Sequence, residues 1–255
     1  MEKIKAKKSL GQNFLIDEVA LADIAGSLSI QSKKIIEVGP GYGALTDYII
    51  DASPESLDLI ELDTDMIKIL NDKYKNTSII IHHQDVLEFY PTYEQYSVIA
   101  NIPYYITSPI LFHFLYKIEH KPDEMVIMMQ KEVGEKIMEG RNKKIHHSFL
   151  SLCMEQACHD IEIIRIVPNT SFNPPPKIDS IVLKFQCKKE RDSEKEDKLI
   201  HLWKVAFAHP RKTLLSNIKG SLYSTDEIRE KIIEKGYDER VRAEAIRKED
   251  WNYFL

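Results

Sequence analysis

Short apolar runs alternate with longer segments of helical periodicity over roughly the first 187 residues of the chain. A continuous apolar run of four to eight residues is typical of a strand that is buried on both faces. Strands that alternate with helix-length segments predict an α/β domain with a mostly parallel sheet. The predicted strands are KIIEV (34–38), LDLIEL (57–62), TSIIIH (77–82) and SVIA (97–100).

Two further strands, at 160–168 and 180–186, are separated by a loop that is too short for a helical crossover. They should therefore pair antiparallel, as a hairpin at the C-terminal end of the sheet.

A highly charged segment, residues 187–198, contains neither glycine nor proline and is typical of a solvated linker that continues into a helix. Only helical patterns follow it, at 201–209, 227–236 and 243–251. We therefore predict a larger domain over 1–187 and a small all-helical domain over 188–255.

The composition favours an intracellular protein without a metal site. Three unclustered cysteines indicate a reducing compartment. The lysine-rich N-terminus lacks a hydrophobic signal segment, and no apolar run is long enough to span a membrane. The expected location is the cytoplasm, unless a transit peptide is missing. The histidine pairs 82–83 and 146–147 lack partners at zinc spacing, so no metal is predicted.

A glycine loop follows the first strand and opens a helix, which presents backbone N–H groups to a ligand. Gly39 and Gly41 fit a nucleotide-binding loop, and Glu61, twenty positions after Gly41, could bind ribose hydroxyls. This pattern leaves both NAD and S-adenosylmethionine open. Asp85 and Asn101 follow the third and fourth strands, so all these groups should converge at the carboxyl edge of the sheet.

The tetrapeptide Asn101-Ile102-Pro103-Tyr104 suggests a chemistry for this site. The Asn101 amide and the carbonyl of Ile102 or Pro103 could accept both hydrogens of an amine conjugated to a ring. The Tyr104 ring could stack on that base. A strand-end turn is the alternative. Phe172 lies in a loop stiffened by prolines, where an exposed ring would suit a flipped-out base; a hydrophobic plug is the competing interpretation.

With these motifs the chain resembles the KsgA-type ribosomal RNA adenine dimethyltransferases over nearly its whole length. The similar segments are KSLGQNFL (8–15), EVGPGYGALT (37–46), IELD (60–63), QDVL (84–87), NIPYYITSPI (101–110), QKEV (130–133), FNPPPKIDS (172–180), HPRKTLLSN (209–217) and GYDERVRAE (236–244). One segment departs: HHSFLS (146–151) replaces a usual Tyr-Gly pair.

The resemblance implies a Rossmann-like class I methyltransferase fold and S-adenosylmethionine as the methyl donor. The substrate would be two adjacent adenosines near the 3' end of small-subunit (16S) ribosomal RNA, converted to N6-dimethyladenosine during subunit biogenesis. The implied cofactor contacts are Asn13, Leu15, Gly39, Gly41, Glu61, Asp85 and Asn101, and the implied base-holding residues are Asn101, Pro103, Tyr104 and Phe172.

The charge distribution suggests where RNA binds. Residues 1–187 hold 19 Lys and Arg against 26 Asp and Glu, whereas residues 188–255 hold 16 against 14. No acid occurs between Asp197 and Asp226. We predict phosphate contacts from Lys7, Lys8, Lys204, Arg211 and Lys212, although a solvated helix face would show the same pattern.

The expected partner is ribosomal RNA within an immature small subunit. We expect the protein to act as a monomer and not to bind a membrane. Two alternatives remain open. One is a ribosome-assembly factor with secondary or lost catalysis, and the other is an Erm-type large-subunit methyltransferase. HPRKTLLSN and GYDERVRAE look more like the small-subunit family.

Overall fold

The computed structural model describes residues 6–7, 10–139 and 146–255. The chain divides into two units, Met1–Gly134 with Ala157–Lys189, and Glu135–Gln156 with Glu190–Leu255. The second unit therefore includes residues 135–156 in addition to the C-terminal segment. The predicted assignment of catalysis to one part and RNA docking to the other remains a prediction.

The first unit is built on a seven-stranded sheet in the order β4-β3-β2-β5-β6-β9-β7, together with a two-stranded ribbon of β1 and β8. The strands β4, β3, β2, β5 and β6 are parallel, and β9 pairs antiparallel with both β6 and β7. The predicted α/β sheet with an antiparallel C-terminal hairpin is confirmed. The strand bounds are β1 Phe14–Leu15, β2 Lys34–Val38, β3 Ser56–Glu61, β4 Ile80–His83, β5 Ser97–Asn101, β6 Glu124–Gln130, β7 Cys158–Val167, β8 Phe172–Asn173 and β9 Ser180–Cys187.

Two helices of the first unit, α1 and α3, begin at an aspartate that caps them. Asp17 caps the first helix by accepting from the Val19 and Ala20 N–H groups, and Asp63 caps the third by accepting from Asp65. Such caps satisfy N–H groups that have no partner within the helix. The helix bounds are α1 Glu18–Gly26, α2 Ala44–Asp51, α3 Thr64–Tyr74, α4 Thr107–Phe112, α5 Lys131–Glu139, α6 Phe149–Ala157, α7 Ser193–Ala206, α8 Leu214–Ile218 and α9 Thr225–Glu234.

The core of the first unit lies on both faces of the parallel strands. In β2, for example, four of five residues are buried, as expected for a strand covered by helices on both sides. The buried strands therefore fix the position of the loops at the carboxyl edge of the sheet, where the candidate site lies.

The second unit has its own aromatic core, in which the Trp203 and Trp251 rings meet edge to face at 6.5 Å. The helical pattern predicted over 243–251 forms only two short 3-10 helices, Ala243–Ala245 and Lys248–Tyr253. Ile246 lies between them in an extended conformation and is fully buried. The burial of Ile246 and Trp251 takes precedence here over local helical periodicity.

Within the described ranges, none of the helices combines the length and the apolar character that a membrane span requires.

Candidate active site

One cleft at the carboxyl edge of the sheet is lined by the predicted cofactor and base residues, including parts of the chain that are distant in sequence. Its lining includes Asn13, Leu15, Gly39, Gly41, Glu61, Asp85, Asn101, Pro103, Tyr104 and Phe172. The structure therefore brings together ten residues that the sequence spreads over 160 positions.

The glycine loop connects β2 to α2 and lies close to its neighbours. Gly41 has a φ of +56°, and a Cβ atom there would be 3.0 Å from the Phe14 ring. Gly43 has a φ of +76°, and the Tyr74 hydroxyl donates to its carbonyl at 3.0 Å. Side chains at these positions would be strained and would displace the aromatic rings that hold the loop.

Glu61 ends β3 with its carboxylate held by three backbone donors. Its oxygens accept from the N–H groups of Leu62 at 2.9 Å, Asp63 at 2.8 Å and Gly41 at 3.2 Å. Burial raises the pKa of Glu61, and the three N–H donors oppose that rise. The fixed carboxylate can accept from the two hydroxyls of a ribose.

Asp85 begins a short helix after β4. One carboxylate oxygen accepts from Leu87 N at 2.9 Å. The other makes no hydrogen bond within the described residues, so it can accept from the amino group of an adenine.

Asn101 ends β5, and its side chain makes no hydrogen bond in the parts of the chain that the structure describes. The Pro103 carbonyl already accepts from Ile106 N at 3.2 Å. This favours the Ile102 carbonyl as the second acceptor for an exocyclic amine. The hydroxyls of Tyr104 and the fully buried Ser180 lie 2.8 Å apart, which fixes the half-buried Tyr104 ring.

The expectation of an exposed Phe172 ring is wrong. Phe172 is 3% exposed, because it lies in β8 and pairs with Leu15 of β1 rather than in an open loop. The ring nevertheless lines the cleft, so its proposed contact with the base would be made by the part of the ring that faces the cavity.

Two of the predicted RNA-binding cations lie in the N-terminal segment. Lys7 is engaged with two carboxylates, Asp63 Oδ1 at 2.5 Å and Asp65 Oδ2 at 2.6 Å. Lys8 lies outside the described residues.

The other three, Lys204, Arg211 and Lys212, are exposed in the second unit. Thr213 begins α8 with its own hydroxyl. An alternative role for Arg211 and Lys212 would be to stabilise the start of this helix. Within the described ranges, however, their side chains make no hydrogen bond or ion pair that would do so. Their role in RNA binding remains a prediction.

Sequence reasoning missed four residues around the cleft: Gln12, Glu37, Asp63 and Ser180. Glu37 left a signal, namely an acid inside an otherwise apolar strand. The contacts of the other three depend on tertiary structure.

The segment that departs from the family pattern lies in the second unit. The His147 side chain is 5% exposed, and its backbone N–H donates to the Glu244 carbonyl at 2.9 Å. The His147 side chain is therefore buried in that unit.

A family model described as "Ribosomal RNA adenine dimethylase" matches residues 3–254. The chain belongs to this family. The family prediction is thereby confirmed, and this is a family of S-adenosylmethionine-dependent methyltransferases.

Curated relatives agree over nearly the full length. Proteins named "Ribosomal RNA small subunit methyltransferase A" are 38% identical in Mycoplasmopsis pulmonis (strain UAB CTIP), 36% in Sulfurimonas denitrificans (strain ATCC 33889 / DSM 1251) and 38% in Alkaliphilus metalliredigens (strain QYMF). The alignments cover 97%, 99% and 98% of this chain and 97%, 93% and 90% of the relatives, respectively.

Two solved structures share the fold. A dimethyladenosine transferase from Plasmodium falciparum has a TM-score of 0.78 at 22% identity, covering 95% of this chain and 96% of that one. The 23S rRNA methyltransferase ErmE has a TM-score of 0.73 at 23% identity, covering 95% and 98%. At these identities the likeness concerns the fold alone.

No group of three or more metal-ligating side chains converges anywhere in the described residues.

Proposed function

We propose that this chain transfers methyl groups from S-adenosylmethionine to N6 of two adjacent adenosines near the 3' end of small-subunit ribosomal RNA, giving N6-dimethyladenosine. The substrate would be an immature small ribosomal subunit, and the protein would act as a monomer. The observation that carries the proposal is the convergence of Glu61, Asp85 and Asn101 in one cleft beside Tyr104.

S-adenosylmethionine supplies an electrophilic methyl group on a positively charged sulfur. The residues of the cleft suit its parts: Glu61 would accept from the ribose hydroxyls, and Asp85 would accept from the adenine amino group. Gly41, whose lack of a side chain leaves room beside the Phe14 ring, would let the loop backbone approach the ligand closely.

The target adenine would stack on Tyr104, with N6 between the Asn101 amide oxygen and the Ile102 carbonyl. Accepting both N–H bonds draws the hydrogens aside and directs the nitrogen lone pair toward the methyl carbon. The new C–N bond forms as the C–S bond breaks, and the excess proton on N6 then leaves to solvent. Alignment and charge relief at sulfur therefore account for the rate without a general base.

The small-subunit substrate is supported by the names of relatives at 36–38% identity. The ErmE likeness concerns the fold and does not indicate a large-subunit substrate.

The decisive assay is transfer of tritiated methyl groups to purified immature small subunits, with the product nucleosides identified by mass. We expect N6-dimethyladenosine at two adjacent positions, and little label on large subunits. Particle binding without methyl transfer would support the assembly-factor alternative, and label on naked large-subunit RNA would support the Erm-type activity.

A further inference from the structure

Asp63 is a buried acid whose partners come from the N-terminal segment. Its side chain is 1% exposed. Oδ1 accepts from Lys7 Nζ at 2.5 Å, and Oδ2 accepts from Gln12 Nε2 at 2.7 Å. A buried carboxylate without such partners is costly, so these bonds tie the segment to the end of β3.

The segment is also held internally. Gln12 Oε1 accepts from the Lys7 backbone N–H at 2.8 Å, and the Lys7 carbonyl accepts from Leu10 N at 3.0 Å. The ring of Phe14 lies 4.4 Å from that of Tyr42 in the glycine loop. We call Lys7 together with residues 10–15 the N-terminal arm; residues 10–15 form one wall of the cofactor cleft.

The same acid is connected to the ligand-binding carboxylate. The Asp63 backbone N–H donates to Glu61 Oε1 at 2.8 Å, and Gly41 N donates to Glu61 Oε2 at 3.2 Å. A continuous set of hydrogen bonds therefore runs from Lys7 through Asp63 and Glu61 to the glycine loop. A displacement of Lys7 would therefore move both residues 10–15, which form one wall of the cleft, and the glycine loop.

The protonation states agree with this geometry. The hydrogen bond to Asp63 raises the pKa of Lys7. Burial would raise the pKa of Asp63, but the bonds from Lys7, Asp65 and Gln12 outweigh it and hold that pKa below its ordinary value. Lys7 is thus a cation and Asp63 an anion at neutral pH.

We propose that the Lys7–Asp63 pair is a latch that holds the N-terminal arm over the cleft and thereby sets how long S-adenosylmethionine stays bound. The inference rests on the proposed function. It assigns Lys7 and Asp63 as positioning residues, and it gives Lys7 a role other than contact with RNA phosphate.

The test compares cations around the same acids. Lys7→Met removes the latch. Lys68→Met is the control, because Lys68 Nζ lies 3.8 Å from Asp65 Oδ1 on the exposed side of α3 and does not contact the arm. S-adenosylmethionine affinity is measured by calorimetry and its dissociation rate by stopped flow. We expect Lys7→Met to raise Kd and the dissociation rate about tenfold, while Lys68→Met and Lys7→Arg stay within about twofold of the unsubstituted protein.

Asp63→Asn completes a double-mutant cycle, because asparagine also serves as a helix N-cap and should leave the start of α3 intact. If the two residues act as one latch, Lys7→Met should add little to Asp63→Asn. Full additivity would overturn the latch. The melting temperature without ligand, measured for each variant, shows whether a change in affinity reflects general unfolding.

The proposal would be refuted if Lys7→Met left the Kd for S-adenosylmethionine unchanged but weakened particle binding and flattened its salt dependence. That result would indicate that Lys7 contacts RNA phosphate instead. Failure of the unsubstituted protein to bind S-adenosylmethionine would overturn the proposed function as well, so the two failures are distinguishable.

Discussion

Replacement of Glu37 by glutamine should change how the stability of the protein depends on pH. Glu37 lies in β2 between Ile36 and Val38 and is 1% exposed. One of its oxygens accepts from the Thr46 hydroxyl at 2.6 Å, a bond that glutamine can keep. Burial raises the pKa of Glu37 from its ordinary 4.5 to about 8. The side chain is therefore protonated in the folded protein at neutral pH.

The direction in which stability changes with pH follows from the number of protons that the folded and unfolded states bind. Between the unfolded pKa of 4.5 and the folded pKa of about 8, the folded state holds a proton that the unfolded state has released. The contribution to stability is complete below pH 4.5 and is lost as the pH rises to about 8. At about 1.4 kcal/mol per pH unit, the loss between pH 5 and 8 is roughly 3 to 4 kcal/mol.

Glutamine carries no titrating proton, so this loss should be absent in Glu37→Gln. Urea unfolding at pH 5 and pH 8, without ligand, measures the difference. Both tryptophans lie in the second unit, so circular dichroism is the better signal for the first. Glu55→Gln, at an acid that is 57% exposed, is the matched control. If Glu37→Gln and Glu55→Gln lose the same stability between the two pH values, Glu37 is not a buried neutral acid.

Three further predictions concern ligand binding and turnover. Asn101→Ala should lower kcat strongly with little change in particle affinity, because its hydrogen bonds matter most as the amine becomes tetrahedral; single-turnover kinetics with near-normal rates would contradict this role. Glu61→Ala should weaken S-adenosylmethionine binding by about 1 to 3 kcal/mol by calorimetry, because ribose hydroxyls lose their acceptor, and an unchanged affinity would remove Glu61 from the site. Arg211→Glu with Lys212→Glu should weaken particle binding and flatten its salt dependence while donor affinity and melting temperature stay constant; a folded double variant that docks with the same salt slope would exclude this surface.

Local sequence patterns were sufficient to predict the sheet and most of the cleft. Glu61, Asp85 and Asn101 each follow an apolar run, and the parallel arrangement brings the ends of such runs to one edge. The antiparallel pairing of β7 and β9 was predictable because the loop between them is too short for a helical crossover. These features depend on order along the chain, which a sequence displays directly.

The features that were missed depend on contacts between distant segments. The two-residue strands β1 and β8 are too short to show any period, and their pairing is what buries Phe172. Asp63 and Lys7 are 56 residues apart, and neither shows a pattern of its own. The helix predicted at 243–251 was wrong because the periodicity of those residues did not reveal that Ile246 is buried in an extended conformation.

Part of the acidic excess of residues 1–187 lies in the cleft. The cleft that Glu61 and Asp85 line would hold a donor with a positively charged sulfur, whereas NAD would bring a negatively charged pyrophosphate close to the same carboxylates. Glu37 does not add to this charge because it is protonated, and Asp63 is paired with Lys7. Glu61 and Asp85 therefore favour a cationic methyl donor and would repel RNA phosphates. We therefore expect phosphate contacts from cations outside the cleft, and the acid-free segment between Asp197 and Asp226 is where we predict them.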